Sequence, residues 1–180
     1  MVNLRFIITG GPGAGKTTIL EALAERGYHY VPETARAIIK KRLEAGLSPR
    51  PPLDQFAQQI LQEDIAYYRA TPVTDQPVFF DRGVVDALGF SEEVGAISPA
   101  QVAAYIQEFP YNELVFLMPP WQSIYTTDGQ RDQTFSESVQ VFERLKTWYA
   151  RWGYKMIEAP RVDVKTRVDF ILKTVETSLA

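Results

Sequence analysis

Short apolar runs alternate with amphipathic stretches from one end of the chain to the other. Leu4 to Thr9 is apolar, holds no turn residue and stops at glycines, which is the pattern of a buried strand. Lys16 to Arg26 sets Ile19, Leu20 and Leu23 at helical spacing, and Gly27 reads as a C-terminal cap. Tyr28 to Val31 reads as a second strand, and Thr34 to Ala45 as a helix closed by Gly46. Ser48-Pro49-Arg50-Pro51-Pro52 breaks the chain, after which Leu53, Phe56, Ile60, Leu61 and Tyr68 mark one face of a long helix. Pro77 to Asp81 is a third strand, and a short helix follows Gly83. Ser98-Pro99-Ala100-Gln101 predicts a sharp helix start, with Ser98 as N-cap, Pro99 at the first helical position and Gln101 closing a capping box. Asn112 to Met118 is a fourth strand, stopped by Pro119-Pro120. Trp121 to Gln133 is polar, contains glycine and reads as a loop. Ser136 to Trp152 is helical, with Val141, Phe142, Leu145, Trp148 and Trp152 on one side. Tyr154 to Glu158 is a fifth strand, and Asp163 caps a final helix from Val164 to about Leu179.

Strands alternating with helices predict an α/β fold: a three-layer α/β/α sandwich around a mainly parallel five-stranded sheet. Right-handed crossovers bring strand ends and helix starts to one edge, where ligands bind. The loops after Thr9, Val31, Asp81, Met118 and Glu158 are therefore expected to carry function. No internal repeat appears, and 180 residues suit a single domain, 1–180, with a lid-like loop at about 121–135.

Composition narrows the classes. A net charge of −3 gives no footprint for nucleic acid. The absence of cysteine excludes disulfides, thiolate metal sites and cysteine nucleophiles. The segment Met1-Val2-Asn3-Leu4-Arg5 leads into an apolar stretch too short for a membrane span and without the layout of a signal peptide. A cytoplasmic protein is expected, with no membrane insertion; the oligomeric state is not legible.

The chemistry concentrates at Gly10-Gly11-Pro12-Gly13-Ala14-Gly15-Lys16-Thr17, which satisfies the P-loop pattern between a buried strand and a helix. Glycines there allow a tight turn whose backbone N–H groups, with the N-terminus of the helix, hold polyanionic phosphate. Gly11 through Thr18 are expected to bind ATP: Lys16 reaches the β- and γ-phosphates, and the Thr17 hydroxyl ligates Mg2+. The plainer reading is a glycine-rich structural turn that happens to match, and the flanking strand and helix weigh against it. Gln76-Pro77-Val78-Phe79-Phe80-Asp81 then supplies an acid at the end of an apolar strand, the Walker B position on the magnesium side; its plainer reading is a helix cap.

Three further elements carry a family resemblance. Asp81-Arg82-Gly83 resembles the Asp-Arg motif of P-loop small-molecule kinases, including thymidylate and nucleoside kinases. Pro32-Glu33-Thr34-Ala35-Arg36 resembles the Glu-x-x-Arg element of the NadR-type ribosylnicotinamide kinase domain. With Asp128-Gly129-Gln130-Arg131 before a long helix, the set is similar to the AAA-like ATPase family grouped with NadR, over nearly the whole chain. The resemblance implies a P-loop NTPase that is kinase-like with a lid. It puts Glu33 beside an acceptor hydroxyl, as base or orienting group, with Arg36 and Arg82 as further substrate contacts. It makes Arg131 a lid arginine that neutralises charge on the transferring phosphoryl group. It rests the adenine near Ala159-Pro160-Arg161, with Arg161 as a stacking partner.

Plainer readings stand beside these. Glu33 can favour the helix dipole or pair with Arg36, Arg82 can pair with Asp86 one turn on, Arg36 can belong to a solvated basic face with Lys40 and Lys41, and Arg131 and Arg161 can be exposed loop arginines. Phe79, Phe80, Phe90, Trp148 and Trp152 read as core, whereas Trp121 or Tyr125 could stack on a base. His29 is the only histidine and cannot build a zinc site alone. No Asn-Lys-x-Asp segment reads guanine, which favours ATP. The reading this supports is an ATP- and magnesium-dependent phosphotransferase acting on an unidentified small nucleoside- or nucleotide-like acceptor. The alternatives are a nucleotide-dependent ATPase or GTPase-type switch acting on a protein or lipid partner, and a binding module without chemistry.

Overall fold

A computed structural model describes residues 2–125 and 133–180. In chain order the elements are β1 (Arg5–Gly10), α1 (Lys16–Glu25), β2 (His29–Val31), α2 (Thr34–Glu44), α3 (Leu53–Ala70), β3 (Val78–Asp81), α4 (Val84–Glu93), α5 (Pro99–Glu108), β4 (Leu114–Met118), a 3-10 turn (Gln122–Ile124), α6 (Phe135–Arg151), β5 (Lys155–Glu158) and α7 (Val164–Leu179). The five strands form one parallel sheet in the order β2-β3-β1-β4-β5, with helices on both sides. The β1 to β2 connection runs one way across the sheet and the β3 to β4 connection the other. That reversal places β1 at the switch point where open α/β sheets bind ligands.

Cα packing resolves two compact units: Met1–Val31 with Asp75–Asp81 and Tyr111–Ala180, and Pro32–Thr74 with Arg82–Pro110. The first holds the sheet. Phe6 and Ile8 point to one side and join Ile19, Leu20 and Leu23 of α1 and Val168, Ile171 and Val175 of α7 in one core. The Phe6 ring lies 6.0 Å from that of Phe79 and 6.3 Å from that of Phe116, so three adjacent strands are tied through aromatic contact. α6 packs on β1 and β5. In the second unit α3 packs on α2 and α4. Phe56 meets Phe90 edge-on at 6.1 Å, Tyr68 meets Phe109 at 5.3 Å, and the Tyr68 hydroxyl donates to the Pro110 carbonyl at 2.7 Å.

Helix starts follow the local chemistry. Ser98 and Gln101 form the expected capping box at α5. α6 begins one residue earlier than its apolar pattern suggests, because Thr134 and Glu137 form a second capping box. The same helix buries Phe142 and Tyr149 in place of Trp148, which is half-buried against Trp152 and Arg151. β4 starts at Leu114, two residues late, since the Asn112 side chain accepts from the Leu114 amide and donates to the Asn3 carbonyl. β3 starts at Val78; Pro77 has no N–H for the ladder. None of the described helices is long and apolar enough to cross a membrane.

Asp163 caps α7 by accepting from the Thr166 amide at 2.9 Å and hydroxyl at 2.6 Å, and these bonds hold its carboxyl below the ordinary value. A depressed folded-state pKa contributes stability above the unfolded value, and that contribution is lost as pH falls through the folded value. Asp163→Ala is therefore expected to melt below wild type at neutral pH, by about 2–4 °C. The gap should close in acid; thermal denaturation at both pH values checks this, and a gap independent of pH would contradict it.

Candidate functional site

The loop from Gly10 to Thr17 links the central strand to α1, and its shape depends on glycine. Gly15 occupies the N-cap of α1 with φ of 84°, a left-handed conformation that costs glycine little. Gly11 is required by close approach, because a Cβ there would lie 2.6 Å from the Ser138 carbonyl oxygen in the first turn of α6. Gly11→Ala must therefore move backbone rather than a flexible side chain. It is expected to destabilise the protein by about 1–3 kcal/mol, read from a urea midpoint; an unshifted midpoint would refute the close approach.

Lys16 is 7% exposed, and its ammonium donates to the Gly10 and Gly11 carbonyls, both at 3.2 Å. A buried lysine thus sits inside the curl of the loop. Thr17 next to it is half-buried, and Thr18 is exposed. On the neighbouring strand Asp81 pairs in register with Ile8 and is 6% exposed. The hydroxyl of Thr17 and the carboxylate of Asp81 are hard oxygen donors suited to magnesium. Among the described residues no three acidic or histidine side chains cluster, so an ion there would complete its shell with phosphate oxygens and water.

Two other groups line this loop. The Tyr125 ring covers Gly13, 2.7 Å from where a Cβ would stand, and its hydroxyl donates to the Gln133 carbonyl. From α7, Arg167 reaches the loop with its side chain 2% exposed. Its Nη2 donates to the Ala14 carbonyl at 3.3 Å and lies 3.1 Å from the Met118 sulfur. Its guanidinium lies 5.9 Å from the centre of the Trp121 ring. Burial lowers its pKa below the usual arginine value.

The second unit carries a separate cluster. Glu33 stands at the N-cap position of α2, yet its side chain makes no capping bond. Its carboxylate faces Arg82 at 3.4 Å, and Arg82 is also 3.8 Å from Asp86. The pairing of Arg82 with Asp86 expected at i, i+4 is thus present, with Glu33 added to it. Arg82 has φ of 72°, uncommon for a side chain of its size. Backbone strain of this kind concentrates where side chains must be aimed. Arg36 is half-buried and forms no ion pair with Glu33 among the described residues. At the start of α2 the Thr34 hydroxyl donates to the buried carboxylate of Asp64 on α3.

Arg161 is exposed and donates to the Pro120 carbonyl at 2.9 Å, joining the loops that leave β4 and β5. Arg131 and Asp128 lie outside the described residues. Asp64 and Arg167 escaped the sequence reading, although a signal existed. Asp64 falls on the stripe of Phe56, Ala57, Ile60, Leu61 and Tyr68, and Arg167 on that of Val168, Ile171 and Val175. A charged residue on the apolar stripe of a helix is buried for a reason other than packing.

A family model described as an AAA domain matches residues 5–167. No curated protein matches the sequence. Among solved structures, deoxyadenosine kinase from M. mycoides with bound dATP aligns with a TM-score of 0.57 and 15% identity, covering 96% of this chain and 99% of that chain. The same kinase with bound dCTP gives 0.57 and 14%, over the same shares of both chains. The NadR protein in complex with NR gives 0.68 and 18%, covering 95% of this chain and 51% of that chain, so this chain spans about half its length. At these identities the likeness is one of fold.

Proposed function

The chain belongs to the AAA domain family, and from that premise we propose that it is a magnesium-dependent kinase of a small nucleoside- or nucleotide-like acceptor, with ATP as phosphoryl donor. The observation that carries this reading is the cluster of Glu33, Arg82 and Asp86, directly after β2 and β3. It holds a half-buried carboxylate 3.4 Å from a guanidinium, with no helix-capping duty to account for it. In this reading the pair is set aside for an acceptor, which a protein that only hydrolyses or only binds nucleotide does not need. The fold shared with a deoxyadenosine kinase and with NadR is consistent with this reading.

The roles follow from the side chains. The N–H groups of Gly11 and of Gly13 to Thr18 hold the triphosphate, with the Lys16 ammonium on its β- and γ-oxygens. Thr17 and Asp81 would hold a magnesium ion, which when bound would neutralise charge on the phosphate oxygens. Glu33 accepts or orients the proton of the acceptor hydroxyl, and Arg82 and Arg36 bind the acceptor. Arg131 supplies lid charge to the transferring group, and Arg161 contacts the adenine.

The test is acceptor-dependent ADP release from MgATP, over a panel of nucleosides, ribosylnicotinamide and nucleotides. Release stimulated by one acceptor class is the expected result. No acceptor dependence across the panel would sink the kinase reading, and steady acceptor-independent release would favour the switch.

A further inference from the structure

We propose that Arg167 is a positioning residue of the phosphate loop: it holds the Ala14 carbonyl from α7, so that the Gly15 N–H faces the nucleotide phosphates, and its buried charge adds to their binding. The inference rests on the phosphate-binding reading of the loop and extends it to a residue about 150 positions away.

A trans peptide is planar, so the carbonyl of Ala14 and the N–H of Gly15 point in opposite directions. Arg167 Nη2 takes the Ala14 oxygen at 3.3 Å, which turns the Gly15 N–H away from α7. The next residue is Lys16, whose ammonium lies among the loop carbonyls. The orientation of one phosphate-facing donor is thus set by a side chain from the last helix. The guanidinium is itself held: the Met118 sulfur receives the same Nη2 at 3.1 Å, and the Trp121 ring centre lies 5.9 Å away. Gly15 leaves room for it, since a Cβ there would come within 3.0 Å of Nη1.

Arg167 is 2% exposed, its Nε has no hydrogen-bond partner, and no carboxylate pairs with it among the described residues. A guanidinium removed from water without a counter-charge costs free energy. A structural tie to one carbonyl would not need that charge. A polyanion bound in the adjacent loop supplies the missing negative potential, and the interaction is weakly screened there. Arg167 is therefore a burden to the ligand-free protein and an asset to the phosphate complex.

That opposition gives the test. Arg167→Met keeps the length and volume and removes the charge and the donors; Arg167→Lys keeps the charge without the fork. Calorimetric Kd for MgATP and thermal denaturation without ligand are measured on both variants and on wild type. The Kd of Arg167→Met is expected to rise roughly ten- to a hundredfold while its ligand-free melting temperature stays at or above wild type; Arg167→Lys should fall between. Wild-type Kd in both variants overturns the proposal, as does a lowered melting temperature with unchanged Kd, which is the signature of a structural tie. Should Arg167→Met fail to fold, the Kd of Arg167→Lys decides. Wild-type protein that binds neither MgATP, MgGTP nor inorganic tripolyphosphate defeats the phosphate-loop reading itself, and this inference with it; that result is distinct because it does not depend on Arg167.

Discussion

Lys16→Ala is expected to abolish measurable MgATP binding at the concentrations that saturate wild type, and to cut any turnover by at least about a hundred- to a thousandfold. The ammonium is nearly buried and lies 3.2 Å from two loop carbonyls, so its position is held by the backbone rather than by solvent chance. A positive charge confined to a low-dielectric loop acts strongly on a phosphate oxygen. Alanine is also a good helix former at this first position of α1, so the fold should survive the change. Circular dichroism controls for the fold and calorimetry reads the binding. A folded Lys16→Ala with wild-type affinity would overturn the phosphate-loop assignment.

Glu33→Gln is expected to leave MgATP affinity nearly intact and to lower acceptor-dependent turnover by roughly two to four decades. Glutamine matches glutamate in shape, so packing at the start of α2 is preserved. What disappears is the capacity to take a proton and the negative charge 3.4 Å from Arg82. Arg82 keeps Asp86 at 3.8 Å, which limits collateral rearrangement. Steady-state kinetics with saturating MgATP separates the outcomes. A fall in kcat marks a base or orienting group; a rise only in the KM of the acceptor marks a binding contact. Turnover equal to wild type would retire the assignment of Glu33.

Much of the candidate site was legible because the relevant constraints are local. A glycine-rich turn between a buried strand and a helix must be written in consecutive residues, and Gly10 to Thr17 is. The acid at the end of β3 and the Glu33 and Arg36 positions were legible for the same reason, as strand ends followed by polar residues. The capping box of Ser98 and Gln101 is four residues of local chemistry and appeared as read. The pairing of Arg82 with Asp86 was visible at helical spacing, but the turn of Arg82 toward Glu33 was not, since these residues are far apart in sequence. Helical spacing put Trp148 on the apolar side of α6; packing instead buries Tyr149, whose ring meets Tyr154 edge-on at 5.4 Å.

The sequence by itself determined the alternation of strands and helices, the glycine-rich turn between β1 and α1, and the polar residues that follow the strand ends. Each depends on residues a few positions apart, whose spacing sets which face they share and which backbone groups they can reach. Only the tertiary structure decided the strand order β2-β3-β1-β4-β5, the ring of Tyr125 over Gly13, the carbonyl of Ser138 against Gly11 and the guanidinium of Arg167 on the Ala14 carbonyl. Those contacts join residues tens to more than a hundred positions apart. They depend on how the sheet and its covering helices pack, which no local pattern encodes.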